Sequence, residues 1–263
     1  MTTGARLLAC AACIAVSTHN VHAAEHPLSA KQRTAMTESL DAKINELTKA
    51  VTDDPKNKRN FSRRGDAYFF RGKFKQAVAD YEKMVELDPK EDTQHWRRGI
   101  AYFYAGKYKK AAHQFEIYHS FDNVDRENGI WRYLSQVKAV GKKKAREGLL
   151  KYEKDDREPF PAVYRLFAGK ITPKQILNQI ESADISAKQR ETRLFYAQLY
   201  IGLNYAVDGK AKLAEQHLQK AVANKWGPKA GFGPNYMWHV GRVHYNLLQT
   251  AKKEAKKKQD GSK

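Results

Sequence analysis

A ruler of 34 residues runs through this chain and constrains its fold more than any other feature. It relates Gly65 to Gly99, Gly72 to Gly106, Arg63-Arg64 to Arg97-Arg98, Tyr68 to Tyr102, Phe74 to Tyr108, Ala77 to Ala111 and Tyr81 to Phe115. Matching residue types at so many marks mean that one supersecondary unit is used repeatedly. The unit reads as two helices. Gly65 and Ala77 let an antiparallel pair approach closely, while Tyr68, Phe74 and Tyr81 fill the space between pairs. Gly72 supplies the backbone freedom of the tight turn. Asp88-Pro89 closes the unit, because proline cannot continue the second helix.

Clear units span 58–91, 92–125 and 195–228, the last with Trp226 in place of the terminal proline. Residues 126–184 are degenerate. Trp131, Leu134, Val137, Leu149 and Leu150 still form one apolar face at helical spacing. Leu166, Phe167, Ile171, Ile176, Leu177 and Ile180 form another around Gly169, where Thr172-Pro173 reads as an N-cap followed by proline in the first helical position. Residues 234–249 read as one further first helix. The expected fold is all-α: a solenoid of stacked antiparallel hairpins over residues 24–250, with chain enough for about seven.

Composition agrees with a packed helical chain. In 263 residues, 41% are apolar, and only 16 Gly and 8 Pro argue against a many-turned β fold. Lys+Arg number 48 against 29 Asp+Glu, a net charge of +19. Part of that excess lies in residues 251–263, which read as a solvated basic tail, disordered or fraying from a helix end. Residues 1–23 read as a secretory signal peptide, with Arg6, an apolar run from Leu7 to Val16, and Val21-His22-Ala23 before the cleavage point. The run is too short to span a bilayer, and no later segment approaches that length. Both cysteines, Cys10 and Cys13, fall inside it. Leu7-Leu8-Ala9-Cys10 has the look of a lipobox, but too few residues precede Cys10 for an export segment. A soluble exported protein is therefore the expectation, rather than one lipid-anchored at Cys10.

The unit resembles the tetratricopeptide repeat (TPR), whose small and aromatic marks fall on Phe61, Gly65, Tyr68, Ala77, Tyr81 and Pro89. A finer likeness rests on three stretches: Arg98 to Gly106, Phe167 to Ile171, and Glu191 to Tyr200 with Asp208-Gly209-Lys210 and Ala221 to Lys225. These are similar to the NlpI-type bacterial lipoproteins over roughly residues 60–250. That resemblance implies a periplasmic, outer-membrane-anchored homodimer. It also implies an adaptor that brings cell-wall hydrolases to a processing protease and organises peptidoglycan synthesis. The residues themselves leave the oligomeric state open, since a helix carrying Met36, Leu40, Ile44 and Leu47 packs either internally or across a dimer.

In stacked hairpins the first helices line the concave side. The ruler places Arg59, Ser62, Arg63, Asp66 and Phe69 there in one unit, and Thr93, Trp96, Arg97, Ile100 and Phe103 in the next. Arg63 and Arg97 then stack along one wall, with Phe69 and Phe103 beside them. Guanidinium groups next to aromatic rings suit an acidic or aromatic-containing peptide. Phe69 and Phe103 equally fit core positions, and the arginines equally fit a solvated face. No dedicated carboxylate clamp is expected, because Asp66 and Ile100 stand where such grooves carry asparagine.

Chemistry-bearing motifs are absent. There is no G-x-S-x-G elbow and no P-loop. His113 and His119 are six apart and His239 and His244 five apart, so neither pair shares a helical face. Asp155-Asp156 sits in a charged linker and reads as solvated. No enzyme activity, metal or cofactor is expected. The expected function is an exported adaptor for protein partners, with binding to anionic envelope polymers as the alternative reading of the charge. Nucleic acid is not an expected physiological partner of an exported chain.

Overall fold

The computed structural model describes residues 26–154 and 156–261, so the expected export segment, with Cys10 and Cys13, lies outside the described residues. Among the described residues there are twelve α-helices and no strand. The first helix, α1 (Ala30–Asp53), opens on a capping box in which the Ser29 hydroxyl accepts from the Gln32 amide and the Gln32 side chain accepts from the Ser29 amide. Five hairpins follow: α2 (Lys58–Phe70) with α3 (Phe74–Leu87), α4 (Trp96–Tyr104) with α5 (Tyr108–Phe121), α6 (Arg126–Val140) with α7 (Lys142–Glu147), α8 (Phe160–Phe167) with α9 (Pro173–Ser182), and α10 (Ala187–Val207) with α11 (Ala211–Ala223). A long helix, α12 (Phe232–Asp260), ends the described chain. Five hairpins form rather than seven because α1 and α12, at 24 and 29 residues, are longer than any repeat helix.

Every hairpin turns at a left-handed glycine. Gly72, Gly106, Gly141, Gly169 and Gly209 have φ between 74° and 89°, where a side chain would be strained. The degenerate region thus resolves into two ordinary turns, at Gly141 and Gly169. Its second helix, α7, is only six residues long, so Leu149 and Leu150 fall beyond it rather than on a helical face. The Thr172 cap forms as expected and is completed by Gln175.

Within a hairpin the helices touch where the ruler puts glycine. A Cβ at Gly65 would lie 2.6 Å from Tyr81 Cε1, and one at Gly99 would lie 2.6 Å from Phe115 Cζ. A polar clamp recurs at the same period. Arg64 holds buried Asp80 through two parallel hydrogen bonds of 2.8 and 2.7 Å, and Arg98 holds buried Gln114 at 2.7 Å.

The C-terminal helix runs further than the 234–249 expected. It begins at Phe232 and runs on through the lysine run to Asp260, so of the two readings of the tail, disordered or a solvated helix end, it is the helix end, with every residue from 251 to 261 exposed. Its first half folds back on the start of the chain. Arg242 donates to the Phe70 carbonyl, His26 bonds Asn246 at 3.1 Å, and Tyr104 bonds His244 at 2.9 Å.

Gly65→Val should drive the Tyr81 ring out of its seat and cost about 1–3 kcal/mol of stability in urea unfolding. Gly233→Ala, inside α12 where an added Cβ meets nothing within 4 Å, should leave stability unchanged or raise it by up to about 1 kcal/mol.

Candidate functional site

The face built by the first helices α2 and α4 is not an open groove, because α12 lies on it. Tyr236 stacks on Phe69 with ring centroids 5.3 Å apart, meets Phe70 and Trp96 edge-on at 5.0 and 4.9 Å, and bonds the Tyr81 hydroxyl at 3.3 Å. His239 stacks on Phe70 at 4.0 Å. Phe69, Ile100 and Phe103 are accordingly core residues, at 0%, 1% and 7% exposure. The expected arginine ladder does not form. Arg59 and Arg63 remain exposed, and Arg63 contributes only a distant attraction that helps hold Glu46 below the usual carboxylate range, after the larger effect of Lys43. Arg97 instead turns inward onto Asp66 at 2.8 Å and Ser62 at 3.0 Å. Its guanidinium lies 5.5 Å from the Tyr81 ring and 5.3 Å from the Phe232 ring. The physical reason is a local carboxylate. Asp66 sits one helical turn from Ser62 and takes both the arginine and the Tyr81 hydroxyl, the latter at 2.6 Å. Burial pushes the Asp66 carboxyl up, and Arg97 and Tyr81 oppose that push.

Beyond the edge of α12 the same face opens into a cavity of about 270 Å³. Trp96 and Ile100 of α4, Trp131 of α6, Tyr196 of α10 and Met237 of α12 form its apolar walls. Its polar side belongs to the start of α6 and to the loop before α8. Asp125 is the N-cap of α6, its Oδ1 accepting from the Glu127 amide at 3.0 Å. Arg157 reaches in from the loop and ion-pairs with Glu127, with Asp156 at 3.1 Å and with Asp125 at 3.5 Å. Tyr200 of α10 donates to the second oxygen of Glu127. Three carboxylates thus gather on one guanidinium. Burial, with Asp125 adding repulsion, pushes the Glu127 carboxyl up to about 7, against the pull of Arg157 and Tyr200.

Two of the expected groove residues, Trp96 and Ile100, line this cavity, while the remaining polar lining was not foreseen. Asp156, expected to be solvated, has a side chain only 5% exposed and accepts from the Arg126 amide at 2.9 Å as well as from Arg157. Its neighbour Asp155 lies outside the described residues. The one sequence signal was Asp125 at the head of a helical stretch whose apolar residues begin at Ile130, an N-cap residue type. Three of the histidines are taken up by packing. Burial brings His95, His239 and His244 down to about 3, 3 and 4, so all three are neutral at physiological pH. Among the described residues no group of three or more His, Cys, Asp or Glu side chains is placed to hold a metal ion.

Residues 65–106 match the family model described as TPR repeat. The matched span runs from the close-packing glycine of one hairpin to the turn glycine of the next, the stretch in which the ruler is strictest. No curated protein matches the chain. The all-α solenoid of TPR-type hairpins is therefore supported twice, by that match and by the geometry of the turns.

Glu127 gives this site a pH signature. Its folded carboxyl holds a proton more tightly than the unfolded chain does. Its contribution to stability is therefore full below the ordinary value near 4.5 and is lost as pH rises through about 7. In urea unfolding, Glu127→Gln should gain about 2 kcal/mol relative to the parent between pH 5 and pH 8. Parallel pH dependences of the two proteins would contradict this burial.

Proposed function

We propose that the chain is an exported scaffold of the cell envelope that holds protein partners, with the cavity between α4, α6, α10 and α12 as a contact point. TPR-type hairpins are interaction surfaces built from stacked first helices. In this chain α12 covers the part of that surface carrying Arg97 and Phe69, and the aromatic-walled cavity is what remains open beside it. That opening is the observation that carries the reading. Aromatic rings and arginine next to a desolvated pocket are the usual energetic anchors of a protein interface. Export rests on the character of residues 1–23, and recruitment of cell-wall hydrolases or proteases rests on the resemblance to NlpI-type lipoproteins.

One observation favours a second reading. The last turns of α12 project from the fold and carry exposed Lys252, Lys253, Lys256 and Lys257, a basic rod suited to an anionic envelope polymer. Salt separates the two, because charge-driven binding to a polymer weakens steeply with ionic strength.

Capture from an envelope extract on immobilised chain of residues 24–263 tests both. Gly233 borders the cavity, and an added Cβ there meets nothing within 4 Å, so Gly233→Trp should block the opening without disturbing the fold. Defined proteins that survive a high-salt wash and vanish with Gly233→Trp are the expected result. Broad, salt-labile recovery that vanishes only when residues 251–263 are deleted would replace the scaffold with a polymer binder.

A further inference from the structure

We infer that the cavity receives the guanidinium of an arginine side chain presented by a protein partner, an inference that rests on the scaffold reading above and names the chemistry of its partner. The sequence pointed the opposite way, toward an acidic ligand held by arginines. The structure takes Arg97 out of play and brings carboxylates forward instead.

Charge is the first argument. Asp125, Glu127 and Asp156 all meet Arg157, so three carboxylates face one guanidinium. The cluster keeps two negative charges in excess when all are ionised and one when Glu127 is protonated. Arg126, the next cation along α6, lies over the Tyr152 ring at 5.2 Å and lines a different hollow. A chain of net charge +19 thus turns a negative pocket toward its partner. Asp125 still has capacity: its Oδ1 serves the α6 cap and Arg157, while its Oδ2 accepts from no described residue. An acidic side chain entering here would meet like charge, at a cost that no free cation in the lining offsets.

Shape is the second. At about 270 Å³ the cavity falls below the range of roughly 300–1,000 Å³ typical of small-molecule pockets and fits one long side chain with its peptide unit. Flat aromatic walls favour a planar cation, which stacks on a ring face while its edge bonds a carboxylate. Arg157 already shows that arrangement, with its guanidinium carbon 4.3 Å from the Phe160 centroid and 5.7 Å from that of Tyr196. A lysine ammonium would gain the charge without the stacking or the paired hydrogen bonds.

The test is calorimetric titration of the chain with acetyl-Gly-Arg-Gly-amide and with the same peptide carrying citrulline, which keeps the shape and removes the charge. The arginine peptide should bind about tenfold tighter or more than the citrulline peptide. Glu127→Gln should reduce that preference several-fold, and Gly233→Trp should abolish binding. Equal affinity for the two peptides, no binding of the arginine peptide by the parent chain, or unchanged binding by Gly233→Trp would each overturn the inference. The scaffold reading is judged separately by capture. If Gly233→Trp captures the same partners as the parent, the cavity inference falls and the scaffold stands. If the parent captures no partner yet binds the arginine peptide, the scaffold falls and the guanidinium site stands.

Discussion

Tyr236 is the point at which the two ends of the helical stack meet. It lies between Phe69, Phe70 and Trp96, and its hydroxyl reaches Tyr81 in the second helix of the first hairpin. Aromatic pairs of this kind contribute about 0.5–1.5 kcal/mol each beyond the area they bury. His239 and Arg242, about one and two turns further on, extend the seam along Phe70. A row of first helices leaves an apolar, aromatic face that water wets poorly. This chain covers part of it with its own last helix instead of leaving all of it for a ligand.

That closure sets the chemistry of what remains. Once α12 lies over α2 and the start of α4, Arg97 is shut in with Asp66, Ser62 and the Tyr81 and Phe232 rings. The exposed part of the face moves toward the start of α6 and the loop before α8, where Asp125, Glu127 and Asp156 meet the single cation Arg157. The overall charge of the protein is carried by its outer surface and by the projecting end of α12, so the sign of the whole and the sign of the opening differ. Net charge therefore predicts long-range attraction to polyanions but says little about what the cavity would accept.

Much of the fold could be read from the residues because each repeat mark has a local cause. Gly65 is demanded by Tyr81, Gly72 by a left-handed turn, and the Thr172 cap by the start of α9. Gly141 carried the same information, 35 residues after Gly106, but the weakened aromatic marks around it hid the turn. The candidate site was much less legible. Tyr236 and Tyr81 are 155 residues apart, and Arg242 and Phe70 are 172 apart. Contacts at that separation obey no period. The same holds for Asp156, whose neighbours are charged and which reads as solvated until the loop is seen folded against the first turn of α6. A ruler finds the units and their inward-facing positions, but it does not say which of those positions the chain will cover itself.

Hydrogen exchange, read by mass spectrometry on the intact chain, tests that closure most directly. If α12 is part of the core, amides of residues 232–246 should exchange with the same opening free energy as those of α2 and α4, and Tyr236→Ala should lower protection in all three segments together. Rapid exchange of residues 232–246 beside slow exchange in α2 and α4 would contradict the account, because the face would then be open and Arg97, Phe69 and Phe103 available to a ligand.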